Sequence, residues 1–427
     1  MELAHFPSLK SVMHLFRLQF FVGQMPWGIF NPFLVVYLSR EVGLSGGDIG
    51  MMFALGGMIL VLTQQIWGYL ADVIISRRTL LLITTMMSGL LFWAFRYTHS
   101  FSSVLMVYGV FYLFNSALIQ LQNGFFLSYR DSAVVFPRVR AYASVGYGLA
   151  NISVALVADH FTNNELFFIF PYYMVACLVL CALTLKIPDT QPVLGIFSKG
   201  QKMVGSHARV SFIDVQRFFL KRPEVVFFLL VAFVYQLGHS LSNYLLALVL
   251  DDMQAGNSAI GFNTALGAIL EAPIFFISIP LIKRFGEARL IAFAGLVQAL
   301  RWILVWNADS PSDVITASLL HCVTFGLFFA ASVNYMNRKA GEYFKASAQT
   351  LYALVVSGLG IMFGNFLSAL IAPGGRFAAH ASIFVTRFLG IPDHGELLNL
   401  YLICGLTALI SSVLAMILWR IDKAVDA

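Results

Sequence analysis

The sequence predicts an all-α integral membrane protein, with twelve transmembrane helices in two six-helix, pseudo-symmetric bundles. Three observations carry this: the composition, a recurring run length, and one polar break near the midpoint. Of 427 residues, 59% are hydrophobic and only 11% are charged, and the mean hydropathy is +0.81. Soluble domains carry about a quarter charged residues, so lipid is the solvent here. A hydrocarbon core about 30 Å thick takes roughly 20 helical residues. Uncharged runs of that size recur at 49–71, 166–185, 225–250, 314–337, 346–375 and 397–419. The break is a polar, basic stretch at about 187–223.

In chain order the predicted spans are 13–38, 47–71, 79–97, 103–129, 138–158 and 166–186. After the break come 224–250, 258–282, 289–307, 314–337, 346–372 and 398–419. This gives a first bundle over 1–186, a cytoplasmic linker over 187–223 and a second bundle over 224–427. The first span contains Arg17 and exceeds a signal-peptide core in length, so it reads as an uncleaved helix. Gln19, Gln24, Trp27 and Asn31 mark one stripe of it. Pro26 and Pro32 predict kinks, which membrane helices tolerate beside a cavity or gate. Lys and Arg set the orientation. With both termini in the cytoplasm, twenty fall on that side and four outside (Arg40, Arg96, Arg376 and Arg387). The outer segment 373–397 is long and carries an apolar side, which fits an interfacial helix or a cap.

Charges inside the spans are the functional signal, because each costs a few kcal/mol in hydrocarbon unless it is paired, protonated or wetted. Glu271 stands in the middle of the eighth span and Arg301 inside the ninth. If these spans run antiparallel, the two charges lie at similar depth and line a cavity. A cavity carboxylate can load a proton on one side and release it on the other. His239 and Asn243 are i, i+4 neighbours in the seventh span, with Gln236 on the adjoining position. They are either solute contacts or hydrogen-bonded packing residues. Gln122 in the fourth span and Trp27 in the first leave the same two options, a polar contact or an interhelical bond for the one and a stacking platform or a packing aromatic for the other. Arg140 at the start of the fifth span either faces the cavity or snorkels to lipid phosphates, and Arg138, two residues earlier on a different face, is the better candidate for the second role.

Each half repeats a charged turn between its second and third helices. In the first half it runs from Gly68 through Asp72 to Arg77 and Arg78; in the second it holds Lys283, Arg284, Gly286 and Arg289. Two parallel repeats of this kind imply solute near the midplane and rocking of one half against the other. Asp72, Arg77 and Arg78 are expected to form a cytoplasmic gate.

That turn resembles the signature loop of the major facilitator superfamily, with Val73 and Ile75 where the signature has a basic residue and a glycine. The resemblance covers essentially the whole chain and narrows to a proton-symporter branch that holds lactose, nucleoside and phenylpropionate permeases. It rests on Phe136-Pro-Arg138-Val-Arg140, Glu271-Ala-Pro273, Leu300-Arg301-Trp302, Leu320-His321-Cys-Val-Thr-Phe325 and Lys345-Ala-Ser347-Ala-Gln349. Arg140 matches the fifth-helix arginine that contacts sugar in lactose permease. Arg301 and His321 match that permease's ninth- and tenth-helix arginine and histidine. Glu271 matches the eighth-helix glutamate of the nucleoside and phenylpropionate branches. The positions of lactose permease's eighth- and tenth-helix glutamates are Ala268 and Thr324 here, and its fourth-helix carboxylate falls at or near Gln122. The resemblance therefore implies Glu271 as proton carrier, with Arg301 and His321 in the coupling set, and Arg140 against the solute.

The function expected is proton-coupled import of a small organic solute, such as a nucleoside, glycoside or aromatic acid, across a bacterial inner membrane by alternating access. The alternative is a proton-driven exporter of lipophilic compounds, which three intramembrane charges weigh against. No soluble sensor domain and no nucleophile with its base points to a receptor or an enzyme. The run Gly195–Lys202 misses the phosphate-loop pattern because Gln201 stands at the lysine position, so an ATP-driven pump is not expected. No cofactor beyond the proton gradient, no metal, and no nucleic-acid partner is expected. The partners are the solute, protons and the bilayer, and the chain is expected to work as a monomer. The four cysteines, Cys177, Cys181, Cys322 and Cys404, have neither metal nor disulfide spacing.

Overall fold

A computed structural model describes residues 9–129, 132–161, 165–189, 217, 219–340 and 345–425. The predicted linker therefore lies, between 190 and 216, outside the described residues. Among the described residues, twelve helices are long and apolar enough to cross a membrane. They are α1 (Leu9–Arg40), α2 (Gly46–Tyr69), α3 (Arg77–Tyr97), α4 (Phe101–Leu127), α5 (Ser132–Phe161) and α6 (Ile169–Lys186). The second set is α7 (Pro223–Asp252), α8 (Gly256–Phe285), α9 (Glu287–Trp306), α10 (Pro311–Ala340), α11 (Ala348–Ile371) and α12 (Glu396–Val425). No strand occurs among the described residues. Large apolar side chains face outward along the helices: Met106 is 74% exposed and Leu62 61%. Such a surface is compatible with hydrocarbon rather than water.

Local chemistry sets the helix ends. Ser76 caps α3 by accepting the Thr79 amide, and Ser100 and Ser103 form a capping box at α4. Ser310 and Asp313 do the same at α10, with Pro311 in the first turn, where its missing N–H costs nothing. Gly286 separates α8 from α9 at φ +80°, a left-handed conformation that favours glycine. The prolines of α1 act as expected: the helix restarts at Met25 and passes through a π turn at Phe30–Leu34. Further π turns interrupt α10 at Cys322–Leu327 and α11 at Leu354–Gly360, and one at Leu70–Ile74 comes directly after α2.

By contacts the chain forms two units, 1–37 with 59–205, and 38–58 with 206–427. In the first, Phe16 packs edge-on against Phe125, Phe126 and Tyr129. Tyr173 stacks on Phe92 and its hydroxyl meets Ser88 at 2.7 Å and Asn115 at 3.2 Å. Gly146 lets α5 approach α1 so closely that a Cβ there would lie 1.8 Å from the Phe21 carbonyl. This is the small-residue packing expected between membrane helices.

The second unit uses the same device. Gly360 and Gly364 of α11 sit where a Cβ would strike Gln236, Ser240 and Leu237 of α7. Ser411 and Ser412 of α12 donate to the carbonyls of Val231 and Ala292 at 3.1 and 2.7 Å, which ties α12 to α7 and α9. The 38–58 segment is held by Arg40, which donates to Asp251 and, at 3.2 Å, to Asn257. The segment after α11 contains a short helix, Ala378–Ile383, with Phe377, Ile383 and Phe384 each at least 40% exposed. Buried Asn399 anchors it by donating to Ser382 and Asp393 at 2.9 and 2.7 Å. The Gly395 amide and Asn399 hold the Asp393 carboxyl below the usual carboxylate range.

Candidate functional site

Three helices of the second unit bring Glu271, Arg301 and His321 into one hydrogen-bonded row. Glu271 lies mid-way along α8, Arg301 one turn before the end of α9, and His321 immediately before the π turn of α10. An Arg301 terminal nitrogen lies 2.9 Å from His321 Nδ1, and His321 Nε2 lies 3.0 Å from Glu271 Oε1. A guanidinium has donors and no acceptor, so Nδ1 must be the unprotonated ring nitrogen. The ring proton then sits on Nε2 and is donated to the Glu271 carboxylate. This geometry makes His321 a neutral bridge with a single permitted tautomer.

Arg301 is the most deeply buried member of the row. It is 2% exposed, and its guanidinium carbon lies 4.2 Å from the centre of the fully buried Trp302 ring. A cation over an indole face recovers part of its lost hydration. The Glu271 and His321 side chains are each 17% exposed. The histidine and the carboxylate are thus equally accessible, and the cation is the buried end of the row.

His239 of α7 adds a second imidazole. It is 5% exposed, and its ring lies nearly parallel to His321 at 5.8 Å and to Phe325 at 5.7 Å. Gln236, also buried, gives its amide to Ser240 at 2.8 Å within α7. The Asn243 side chain lies outside the described residues.

The other predicted residues belong to the first unit. Trp27 packs edge-on against Phe30 and Tyr112. Gln122 is 3% exposed and donates 2.8 Å to the Gln19 carbonyl, filling the space that Gly23 leaves by having no side chain. Arg140 is partly buried on α5, whereas Arg138 is exposed. Arg77 and Arg78 donate to the carbonyls of Gly124 at 3.2 Å and Leu185 at 2.6 Å. Those carbonyls lie in the last turns of α4 and α6, where cations are favourable. Asp72 lies in the π turn Leu70–Ile74, and its side chain falls outside the described residues.

Sequence reasoning missed Trp302 as the platform under Arg301 and Tyr235 as the residue that packs one turn before His239. The available signal for Tyr235 was its i, i+4 spacing to His239 on one face. Among the described residues, no group of three or more His, Cys, Asp or Glu side chains is arranged to hold a metal.

Residues 13–381 match the MFS_1 like family. The chain is 26% identical to an uncharacterized transporter, YwbF, of Bacillus subtilis over 389 residues, covering 90% of each chain. It is 27% identical to a maltose permease of Geobacillus stearothermophilus over 357 residues, covering 83% of this chain and 85% of that one. The crystal structure of the nucleoside transporter NupG superposes with a TM-score of 0.77 at 15% identity, covering 96% of this chain and 99% of that one.

Proposed function

The chain belongs to the MFS_1 like family, a multi-pass membrane transporter of a small solute and not an enzyme, and from that premise we propose that it imports its solute by proton symport. The observation that carries this reading is the Arg301–His321–Glu271 row. Glu271 is the proton carrier because it is less buried than Arg301, and because Arg301 occupies the nitrogen on which His321 would otherwise take a second proton. Ionised Glu271 accepts a charge-assisted bond from His321, which favours release. Protonated Glu271 is neutral, and the site then carries a net positive charge. Alternating access between these two states couples proton entry to solute entry.

Arg140, Trp27, His239 and Asn243 are proposed solute contacts. Gln122 and Gln236 are proposed to contact the solute as well, each giving one of its two amide hydrogens within its own unit. Asp72, Arg77 and Arg78 are proposed to stabilise a cytoplasmic gate through the helix ends that the two arginines hold. The proposed setting is a bacterial inner membrane, with both termini cytoplasmic and the chain acting as a monomer. An arginine can bind either a hydroxyl-rich ring or a carboxylate, so the proposed solute classes are nucleosides, glycosides and aromatic acids.

The test is proton movement in proteoliposomes on addition of xanthosine, maltose, raffinose, 3-phenylpropionate or a lipophilic cation. External alkalinisation with one polar solute, lost in Glu271→Gln, is the expected result. Alkalinisation that persists in Glu271→Gln removes Glu271 from the mechanism. Silence with every polar solute, while the lipophilic cation moves against the proton gradient, establishes export instead.

A further inference from the structure

The row depends on how His321 is aimed, and α10 is irregular at that point. The π turn Cys322–Leu327 begins at the next residue. A π turn holds one residue more than an α turn, so the helix beyond it is rotated by about 100° relative to an unbroken one, and main-chain carbonyls leave the regular ladder. Two buried hydroxyls serve carbonyls here. Thr324 Oγ1 donates 3.0 Å to the His321 carbonyl, and Tyr235 Oη of α7 donates 2.7 Å to the Thr324 carbonyl. Tyr235 is 1% exposed and Thr324 fully buried.

The π turn is flanked by contacts on both sides. Before it, His321 is bonded to α8 and α9 and its ring lies beside His239 of α7. After it, Phe328 faces α7, where its ring lies 3.6 Å from that of Tyr235 at an interplanar angle of 4°. Tyr235 is also tied to α9, because Gln298, three residues before Arg301, donates to its carbonyl at 3.4 Å.

We propose that Tyr235 and Thr324 are positioning residues for proton coupling: their two hydroxyls hold the π turn of α10 and so aim His321 at both Arg301 and Glu271. This rests on reading the row as the proton site. Neither side chain touches the proton. They act through the backbone of His321, whose ring is faced by Glu271 from α8, Arg301 from α9 and His239 from α7.

Nitrogen-15 NMR of histidine-labelled protein in lipid nanodiscs tests this, with the His321 signal assigned by its absence in His321→Gln. The wild-type signal is expected to show one tautomer, with the proton on Nε2 and Nδ1 as acceptor. Tyr235→Phe keeps the stacked ring, and Thr324→Val keeps the shape; each is expected to lose the single-tautomer signature. Thr324→Ser keeps a hydroxyl and is expected to retain it. A wild-type signature in both Tyr235→Phe and Thr324→Val overturns the proposal, as does Thr324→Ser behaving like Thr324→Val. Infrared titration of the carboxyl band that vanishes in Glu271→Gln judges the proton-carrier reading separately. A Glu271 that never takes a proton defeats that reading, while the histidine signal still decides whether the hydroxyls position the ring.

Discussion

Asp422→Asn is expected to be among the most damaging substitutions outside the transport site. Asp422 lies near the end of α12, 8% exposed, and gathers three donors from α10. Lys339 Nζ lies 2.6 Å from Oδ1, Tyr335 Oη 3.2 Å from the same oxygen, and an Arg338 terminal nitrogen 2.6 Å from Oδ2. Removing one member of a buried ion pair costs about 3–5 kcal/mol. The Arg338 side chain is 38% exposed, so its share falls to about 0.5 kcal/mol through solvent screening. The Lys339 side chain is only 8% exposed and sets most of the cost. A total of about 3 kcal/mol corresponds to a factor on the order of a hundred in the unfolding equilibrium. Cys177, Cys181 and Cys404 are buried, so a thiol-reactive dye reports unfolding of the detergent-solubilised protein as a labelling rate. Labelling of Asp422→Asn within twofold of wild type would refute the reasoning. Adding Lys339→Met removes the stranded charge and is expected to recover at least half of the loss; a double variant worse than the single one would show that packing, not charge, set the cost.

Gly146→Ala is expected to abolish the monodisperse peak in gel filtration of a fluorescent fusion, since its Cβ would meet the Phe21 carbonyl at 1.8 Å. Gly68→Ala, where no described atom lies within 4 Å of the added carbon, is expected to run as wild type and to stabilise α2 by up to about 1 kcal/mol. Charge reversal at either Arg40 or Asp251 is expected to lower the thermal midpoint of the solubilised protein. Reversing both is expected to recover part of that loss, with the effect shrinking at high salt because these side chains are 28% and 17% exposed.

What the sequence reveals about this molecule reflects the energetics of the bilayer. A helix that must span hydrocarbon is bounded by hydropathy, which is why a prediction of 289–307 falls so near the observed Glu287–Trp306. A charge in hydrocarbon is equally conspicuous, so Glu271 and Arg301 stand out as a pair. What joins them does not. The sequence sets the two charges at one depth, and the structure shows His321 bonded to both. That bond depends on a ring orientation which no spacing rule encodes. The π turn of α1 contains Pro32 and so has a residue to announce it, whereas Cys322-Val-Thr-Phe-Gly-Leu327 contains no proline. Tyr235 and Thr324 are uncharged, carry little transfer cost, and look like any other aromatic or small residue in a span. Their hydroxyls acquire meaning only from the carbonyls they reach. In a membrane protein the charged members of a site are thus found from sequence, because lipid penalises them. The neutral groups that orient them become visible only when the backbone irregularity they satisfy is seen.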